Sequence, residues 1–274
     1  MFGKGLLEQW LQGDKGAPHL YVAGGSGAGK TSFVKNLVML LVKQQHNIYV
    51  VDFDGEYTTL PLQSIKPPFP LLLSDKSTLG WVLSQVSRPE EGGFATAILT
   101  ELYKLSDELN NLEEAISRIR HDQTIPVNIR YALLWRLSIF KKNFFISNDN
   151  HSFKNSSLVF DLSSIQSIRE RQAVQMILTS YLAVIDETPS FIVVEEAQTG
   201  PWLTDVAMLA RRRKKRLILV SQRMPDDIMN YEIIIFTPYF PVDLRRLPLP
   251  TNPSLDRGVW WVGRLGIHRI KHLW

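Results

Sequence analysis

The chain contains no cysteine, which excludes a disulfide framework and any thiolate-held metal. It has no apolar run near the ~20 residues of a membrane span. Residues 1–11 show neither a long apolar stretch nor a cleavage-site pattern. Neither charge sign dominates: 31 Lys and Arg stand against 27 Asp and Glu, a formal net charge of +4, too mild to name a partner. Internal repeats and low-complexity tracts are also missing. These absences lead to the expectation of a soluble protein of a reducing, cytoplasmic compartment with no membrane span. What is present is an ordinary globular composition, 45% hydrophobic over 274 residues, enough for one large α/β domain with a sizeable insertion.

The hydrophobic pattern divides the chain. Residues 19–24 (HLYVAG) read as a short buried strand, followed at once by a glycine-rich turn. Over residues 31–42, Phe33, Val34, Leu37, Val38 and Leu41 recur at helical spacing. Residues 47–53 (NIYVVDF) form a second apolar run, so strand, helix and strand make a βαβ unit and imply a parallel sheet. The proline-rich stretch 61–70 is expected to be loop. Residues 79–145 read as helical and strand-free, with Asn111 and Glu114 spaced as a capping box; the block from about 75 to 150 is expected to be a helical insertion. Apolar runs without alternation then return at 158–162, 191–194, 217–220 and 233–236, as suits strands buried on both faces. Helical stretches are expected at 169–185 and 202–213. The end, about 257–274, reads as a hairpin turning near Leu265 and Gly266. The expectation is a single domain over 1–274.

Residues 24–31 read GGSGAGKT, the G-x-x-x-x-G-K-[ST] phosphate loop. Glycines let successive backbone N–H groups turn inward toward phosphate oxygens, and the helix that follows adds its positive end. Gly25, Ser26, Gly27, Ala28, Gly29, Lys30, Thr31 and Ser32 are therefore the expected ATP-binding residues, with Lys30 on the β- and γ-phosphates and the Thr31 hydroxyl on Mg²⁺. A chance glycine turn would lack the strand before it and the amphipathic helix after it. Residues 191–196 (FIVVEE) end an apolar run in two carboxylates. A strand of this kind is expected beside the phosphate loop, with Glu195 serving Mg²⁺ and Glu196 polarising the attacking water. Acids favoured by a helix N-terminus would be the plainer explanation. Gln222, closing LILVSQR, can both donate and accept hydrogen bonds and suits a γ-phosphate sensor.

These elements, in this order from about residue 20 to 247, resemble the HerA/FtsK superfamily of P-loop ATPases, and its HerA branch most. The resemblance rests on GGSGAGKTSF, on VVDFDGEY (residues 50–57), on LVFDLSSI (158–165) with Arg169 and Arg171 after it, on VVEEAQ (193–198), and on ARRRKKRLILVSQR (210–223). It implies a RecA/FtsK-like fold: a mostly parallel central sheet flanked by helices, with the helical insertion and the C-terminal hairpin. It places Asp52 and Glu56 beside the nucleotide, with Glu56 able to share or take over water activation. It also implies an arginine finger in trans from Arg211, Arg212 or Arg213, where the family usually has Gly-Arg-Lys. With the phosphate loop beginning at Gly24, the family's N-terminal β-barrel is expected to be missing, leaving a bare motor like those of virus genome-packaging ATPases and small plasmid-encoded translocases.

The resemblance thus implies an ATP- and Mg²⁺-dependent translocase of double-stranded DNA. It would form a homo-oligomeric ring, a hexamer by family habit, and act in genome packaging (in host cytoplasm if viral) or mobile-element DNA processing. A capsid, nuclease or other docking protein is the further partner such a motor implies. The unbroken RRRKKR of residues 211–216 is expected to serve the subunit interface with its first half. The loop 149–154 and the basic hairpin are candidates for DNA contact. Trp260, Trp261 and Trp274 could stack on bases, although packing in the hairpin is the commoner use of such residues. Two other classes remain open: a ring ATPase that threads protein, and an ATP-dependent assembly switch without translocation.

Overall fold

The computed structural model describes residues 4–12, 18–71, 112–141, 144–147, 156–184, 190–197, 201–224, 230–237 and 258–270. Their elements are α1 (Lys4–Gln12), β1 (His19–Gly24), α2 (Lys30–Lys43), β2 (Ile48–Asp52), a 3₁₀ turn (Glu56–Thr59), β3 (Gln63–Ile65), β4 (Phe69–Leu71), α3 (Leu112–His121), α4 (Val127–Lys141), β5 (Phe145–Ser147), β6 (Leu158–Asp161), α5 (Ile168–Val184), β7 (Phe191–Val194), α6 (Pro201–Arg212), β8 (Arg216–Ser221), β9 (Tyr231–Thr237), β10 (Gly258–Gly263) and β11 (Gly266–Ile270).

Nine strands form one sheet in the order β11-β10-β9-β1-β8-β7-β2-β6-β3. From β9 to β3 every pairing is parallel, and β10 and β11 add an antiparallel edge. Side chains alternate between the two faces, as a pleated strand requires. Leu20, Val22, Ile48, Val50, Ile218 and Val220 face α1 and α2. Tyr21, Ala23, Tyr49, Val51, Leu217 and Leu219 face the core shared with α5 and α6. The described helices of the insertion join this second core through Ile116, Ile119, Ile129 and Leu133. Covered on both faces, the central strands are apolar throughout, which is why their sequence shows no alternation.

At the hairpin, Trp261 is fully buried while Trp260 is partly exposed beneath the Arg269 guanidinium. The Trp261 indole N–H donates to the carboxylate of Glu232 on β9 at 2.7 Å, and the Arg264 N–H donates to its other oxygen at 3.1 Å. A Cβ at Gly263 would lie 2.2 Å from that carboxylate. Trp261 therefore packs in the protein rather than against bases; Trp274 lies outside the described residues.

One expectation needs correcting. The proline-rich stretch 61–70 is not all loop. Gln63–Ile65 lies between prolines, and pairs in parallel with β6 at the sheet edge. Phe69–Leu71 pairs with Phe145–Ser147 in a separate two-stranded sheet, where an edge strand tolerates Pro70. The strand that ends in the two glutamates lies beside the phosphate loop as expected, although it does not pair with β1: β7 pairs with β2 and β8, and β8 lies between it and β1. Finally, α1 carried no recognised signal, yet it buries Leu7 and Trp10. Asn111 of the capping pair, the loop 149–154 and most of the first half of the insertion fall outside the described residues; Glu114 lies in the first turn of α3.

Candidate nucleotide site

In a parallel sheet all strands end at one edge, and the loops leaving that edge form the site. Here β1 delivers Gly24, β2 delivers Asp52, β6 Asp161, β7 Glu195 and β8 Ser221.

The loop after β1 turns sharply. Gly29, at φ +96°, caps α2 in the left-handed region that side-chain-bearing residues avoid. Lys30 opens the helix, largely buried, and its ammonium donates to Gly25 O at 2.9 Å. The cation is thus held over the glycine loop. Thr31, one residue on, donates its hydroxyl hydrogen to Glu195 Oε1 at 3.1 Å. Although β7 is one strand removed from β1, this bond ties the phosphate loop to it.

Glu195 is 4% exposed. Its second oxygen accepts the Tyr57 hydroxyl at 2.6 Å, and its backbone carbonyl accepts from the Gln175 amide of α5. Burial raises its pKa to about 7; the bonds from Tyr57 and Thr31 pull it down, and the charges of Glu56 and Glu196 push it up. Burial likewise lifts the Tyr57 phenol well above its ordinary value, with the Glu195 charge next in effect, so Tyr57 is the donor in this bond.

The next residue, Glu196, stands at φ +47°, a left-handed conformation uncommon outside glycine. It is half-buried, and the Gln222 amide donates to its Oε1 at 3.1 Å. The sensor candidate and the water-activating candidate are therefore direct neighbours across β7 and β8.

Asp52 ends β2 at the same edge. It is fully buried, and its two oxygens accept the backbone N–H groups of Gly55, Glu56 and Tyr57 at 2.9, 3.1 and 2.8 Å. It builds the turn that carries Glu56. Burial raises its pKa to about 6, against the pull of those three bonds. Gly55 makes the turn possible at φ +82°, where a Cβ would meet Ser163 Oγ at 3.0 Å. Asp54 is gripped by Arg171 of α5 at 2.7 Å, and Arg171 also bonds Ile165 O and lies 5.0 Å from the Phe53 ring centre. Glu56 is exposed on this clamped turn, close enough for its charge to act on Glu195.

The edge therefore gathers Lys30, Thr31, Glu56, Glu195, Glu196 and Gln222. It does not include Arg211, Arg212 and Arg213, which are exposed at the far end of α6, before β8 starts. The six residues of β8 separate that end from the site, roughly 20 Å at strand rise. The basic run is also split in use. Lys215 is buried and donates to Leu182 O near the end of α5 at 2.6 Å. Arg216 donates to Trp10 O and, at 2.8 Å, to Leu11 O of α1.

The donor set suits a hard cation. Thr31 and Glu195 offer oxygen atoms side by side, and among the described residues no group of three or more His, Cys, Asp or Glu could hold a metal alone. One or two protein oxygens plus phosphate oxygens is the usual coordination of Mg²⁺ at nucleotide sites. Sequence reasoning missed Tyr57, Gln175 and Arg171 as supports of the site. Two of them carried a signal: Arg171 stood among the residues of the family resemblance, and a phenol ending the DGEY run must find a partner if buried.

A family model described as the central domain of helicase HerA matches residues 16–181. Among solved structures, the chain is similar to VirB4 of Thermoanaerobacter pseudethanolicus, at 15% identity and a TM-score of 0.62, covering 92% of this chain and 88% of that one. It is also similar to the bacterial conjugative coupling protein TrwB, at 13% identity and a TM-score of 0.54, covering 81% and 68%. A TrwB complex with the non-hydrolysable GTP analogue GDPNP matches at 13% identity and a TM-score of 0.51, covering 74% and 63%. No curated protein matches the chain.

Proposed function

Because the chain belongs to the family of the HerA helicase central domain and is a P-loop ATPase of that type, we propose that it is an ATP-driven translocase of double-stranded DNA, acting as a homo-oligomeric ring. In this reading residues 25–32 cradle the phosphates and Lys30 leaves Gly25 O for phosphate oxygens. Thr31 and Glu195 hold Mg²⁺, which when bound neutralises charge on the phosphoryl oxygens. Glu196 orients the attacking water, with Glu56 as the second carboxylate at the same edge, and Gln222 senses the γ-phosphate through its bond to Glu196.

The observation that carries the ring is the position of Arg211, Arg212 and Arg213. They stand roughly 20 Å, the length of β8, from the phosphate loop of their own chain. An arginine so placed can stabilise a transferring phosphoryl group only on another copy. The setting we propose is virus genome packaging or mobile-element DNA processing in the cytoplasm. VirB4 and the bacterial conjugative coupling protein TrwB share the fold.

The test is steady-state ATP turnover of the purified oligomer with and without linear duplex DNA across a salt series. Phosphate tracking predicts stimulation that fades steeply as salt rises. Turnover indifferent to DNA at every salt concentration refutes translocation and favours a protein-threading ring or an assembly switch.

A further inference from the structure

We propose that Tyr57 is a positioning residue for the metal half of the nucleotide site: it fixes Glu195 so that Glu195 in turn orients the Thr31 hydroxyl. The inference rests on the Mg²⁺–ATP reading above and assigns a task to a residue outside the phosphate loop and the glutamate pair.

The chain of contacts is continuous. Asp52 accepts three successive N–H groups and so fixes the backbone from Gly55 to Tyr57. Arg171 clamps the same turn through Asp54. The Tyr57 ring is fully buried among the residues that pack on α2, and the Lys35 ammonium lies 5.8 Å from its centre. The ring therefore cannot swing, and its hydroxyl reaches one oxygen of Glu195 at 2.6 Å. The other oxygen is left to accept the Thr31 hydroxyl.

The direction of that last bond matters. A hydroxyl has one hydrogen and two lone pairs. With its hydrogen committed to Glu195, Thr31 must turn its lone pairs away from the carboxylate, available to a cation. If Glu195 rotated, Thr31 could point its hydrogen elsewhere and lose that alignment. A buried carboxylate held by a single hydroxyl could rotate; two donors, one on each oxygen, hold its plane. Partners that orient a metal ligand in this way typically contribute 10–100-fold to metal affinity or activity. A tyrosine serving only as core packing would contribute its ring alone.

The experiment compares the parent protein with Tyr57→Phe, which keeps the ring and removes the hydroxyl. Binding of a fluorescent ATP analogue is titrated in excess EDTA and then across a Mg²⁺ series. The expected result is metal-free affinity within about twofold of the parent, with the Mg²⁺ concentration for half-maximal binding raised about tenfold or more. An unchanged Mg²⁺ requirement overturns the proposal, and so does an equal loss in EDTA, which marks a packing defect. The double variant Tyr57→Phe/Glu195→Gln gives a second reading. If Tyr57 acts through Glu195, removing its hydroxyl adds no further loss in the Glu195→Gln background; an additive loss overturns it. A parent protein whose nucleotide binding ignores Mg²⁺ would instead overturn the metal-site reading itself, so the two failures are distinguishable.

Discussion

Arg216→Met separates the structural from the functional half of the basic run. Methionine keeps an unbranched apolar stem and removes the guanidinium. In the protein that group donates to Trp10 O and Leu11 O, carbonyls of the last turn of α1 that no helical N–H satisfies. It also lies 5.3 Å from the Trp10 ring centre and 5.9 Å from that of Phe191. Two hydrogen bonds from a charged donor contribute about 1.5–3 kcal/mol each, and the ring contacts about 0.5–2 kcal/mol more. Against this, the guanidinium is partly stripped of water, as the burial-driven lowering of its pKa shows, and its removal recovers some of that cost. The net loss should be about 2–4 kcal/mol, bounded above by the free energy that docks α1 as a whole. Urea unfolding measures the total, and hydrogen exchange over residues 4–12 shows whether α1 is the part released. The companion variant, with Arg211, Arg212 and Arg213 all changed to Gln, should move stability by no more than about 0.5 kcal/mol, because these side chains are exposed. Its ATP turnover should fall about 10³-fold if one of them is the finger in trans. The reasoning is refuted if Arg216→Met leaves stability unchanged while DNA-stimulated turnover collapses.

Three further predictions follow from the site and its supports. Glu196→Gln should slow single-turnover hydrolysis at least 100-fold while bound ATP and assembly persist; if Glu56→Gln stalls the reaction instead, water activation belongs to Glu56. Gly55→Ala forces a methyl group within 3.0–3.1 Å of Ser163 at φ +82°. It should cost about 2 kcal/mol, read as a melting temperature lower by about 4 °C or more, and an unaltered melting temperature would show that the turn relaxes freely. His19 gives a pH dependence of known sign. Buried between Ala207 O and the Leu217 N–H, it has a folded-state pKa lowered, chiefly by burial, to about 4 from 6.5. Between those values the unfolded chain holds more protons, so stability should fall by up to about 3 kcal/mol as pH drops through that window. Asp52 and Glu195, with raised values, act in the opposite sense: what burying them costs is relieved as pH falls. The difference between parent and His19→Gln is therefore the quantity to follow, and parallel curves would exclude His19 as the cause.

Much of this architecture was legible because it is local. The strands at His19–Gly24 and Phe191–Val194 have the limits their apolar runs define. The helix from Lys30 follows the spacing of its buried residues, and the hairpin turns where Gly266 allows it. The phosphate loop and the glutamate pair were legible for the same reason. What escaped was decided by distant partners. Lys215 and Arg216 look like Arg211 in sequence, and only the carbonyls of α5 and α1 tell them apart. The bond between Tyr57 and Glu195 spans 138 residues, beyond the reach of any periodicity. The order of the sheet was not legible for a related reason. Motif order along a chain says which residues meet at an edge, not which strands pair behind them.

The Glu232 carboxylate under the hairpin acts as a proofreader of strand pairing. Trp260 and Trp261 are adjacent and equal in bulk, so packing alone discriminates poorly between the correct alignment of β10 and one shifted by a residue. A shift would exchange which tryptophan points inward, since alternate residues face opposite sides. Only with Trp261 inward does the indole N–H reach Glu232, and only with Gly263 beside it is there room for the carboxylate. In the shifted alignment the buried carboxylate would lose the indole N–H, a cost of a few kcal/mol. The one acid of β9 thus turns an ambiguous pair of aromatics into a single permitted registration of the sheet's antiparallel edge.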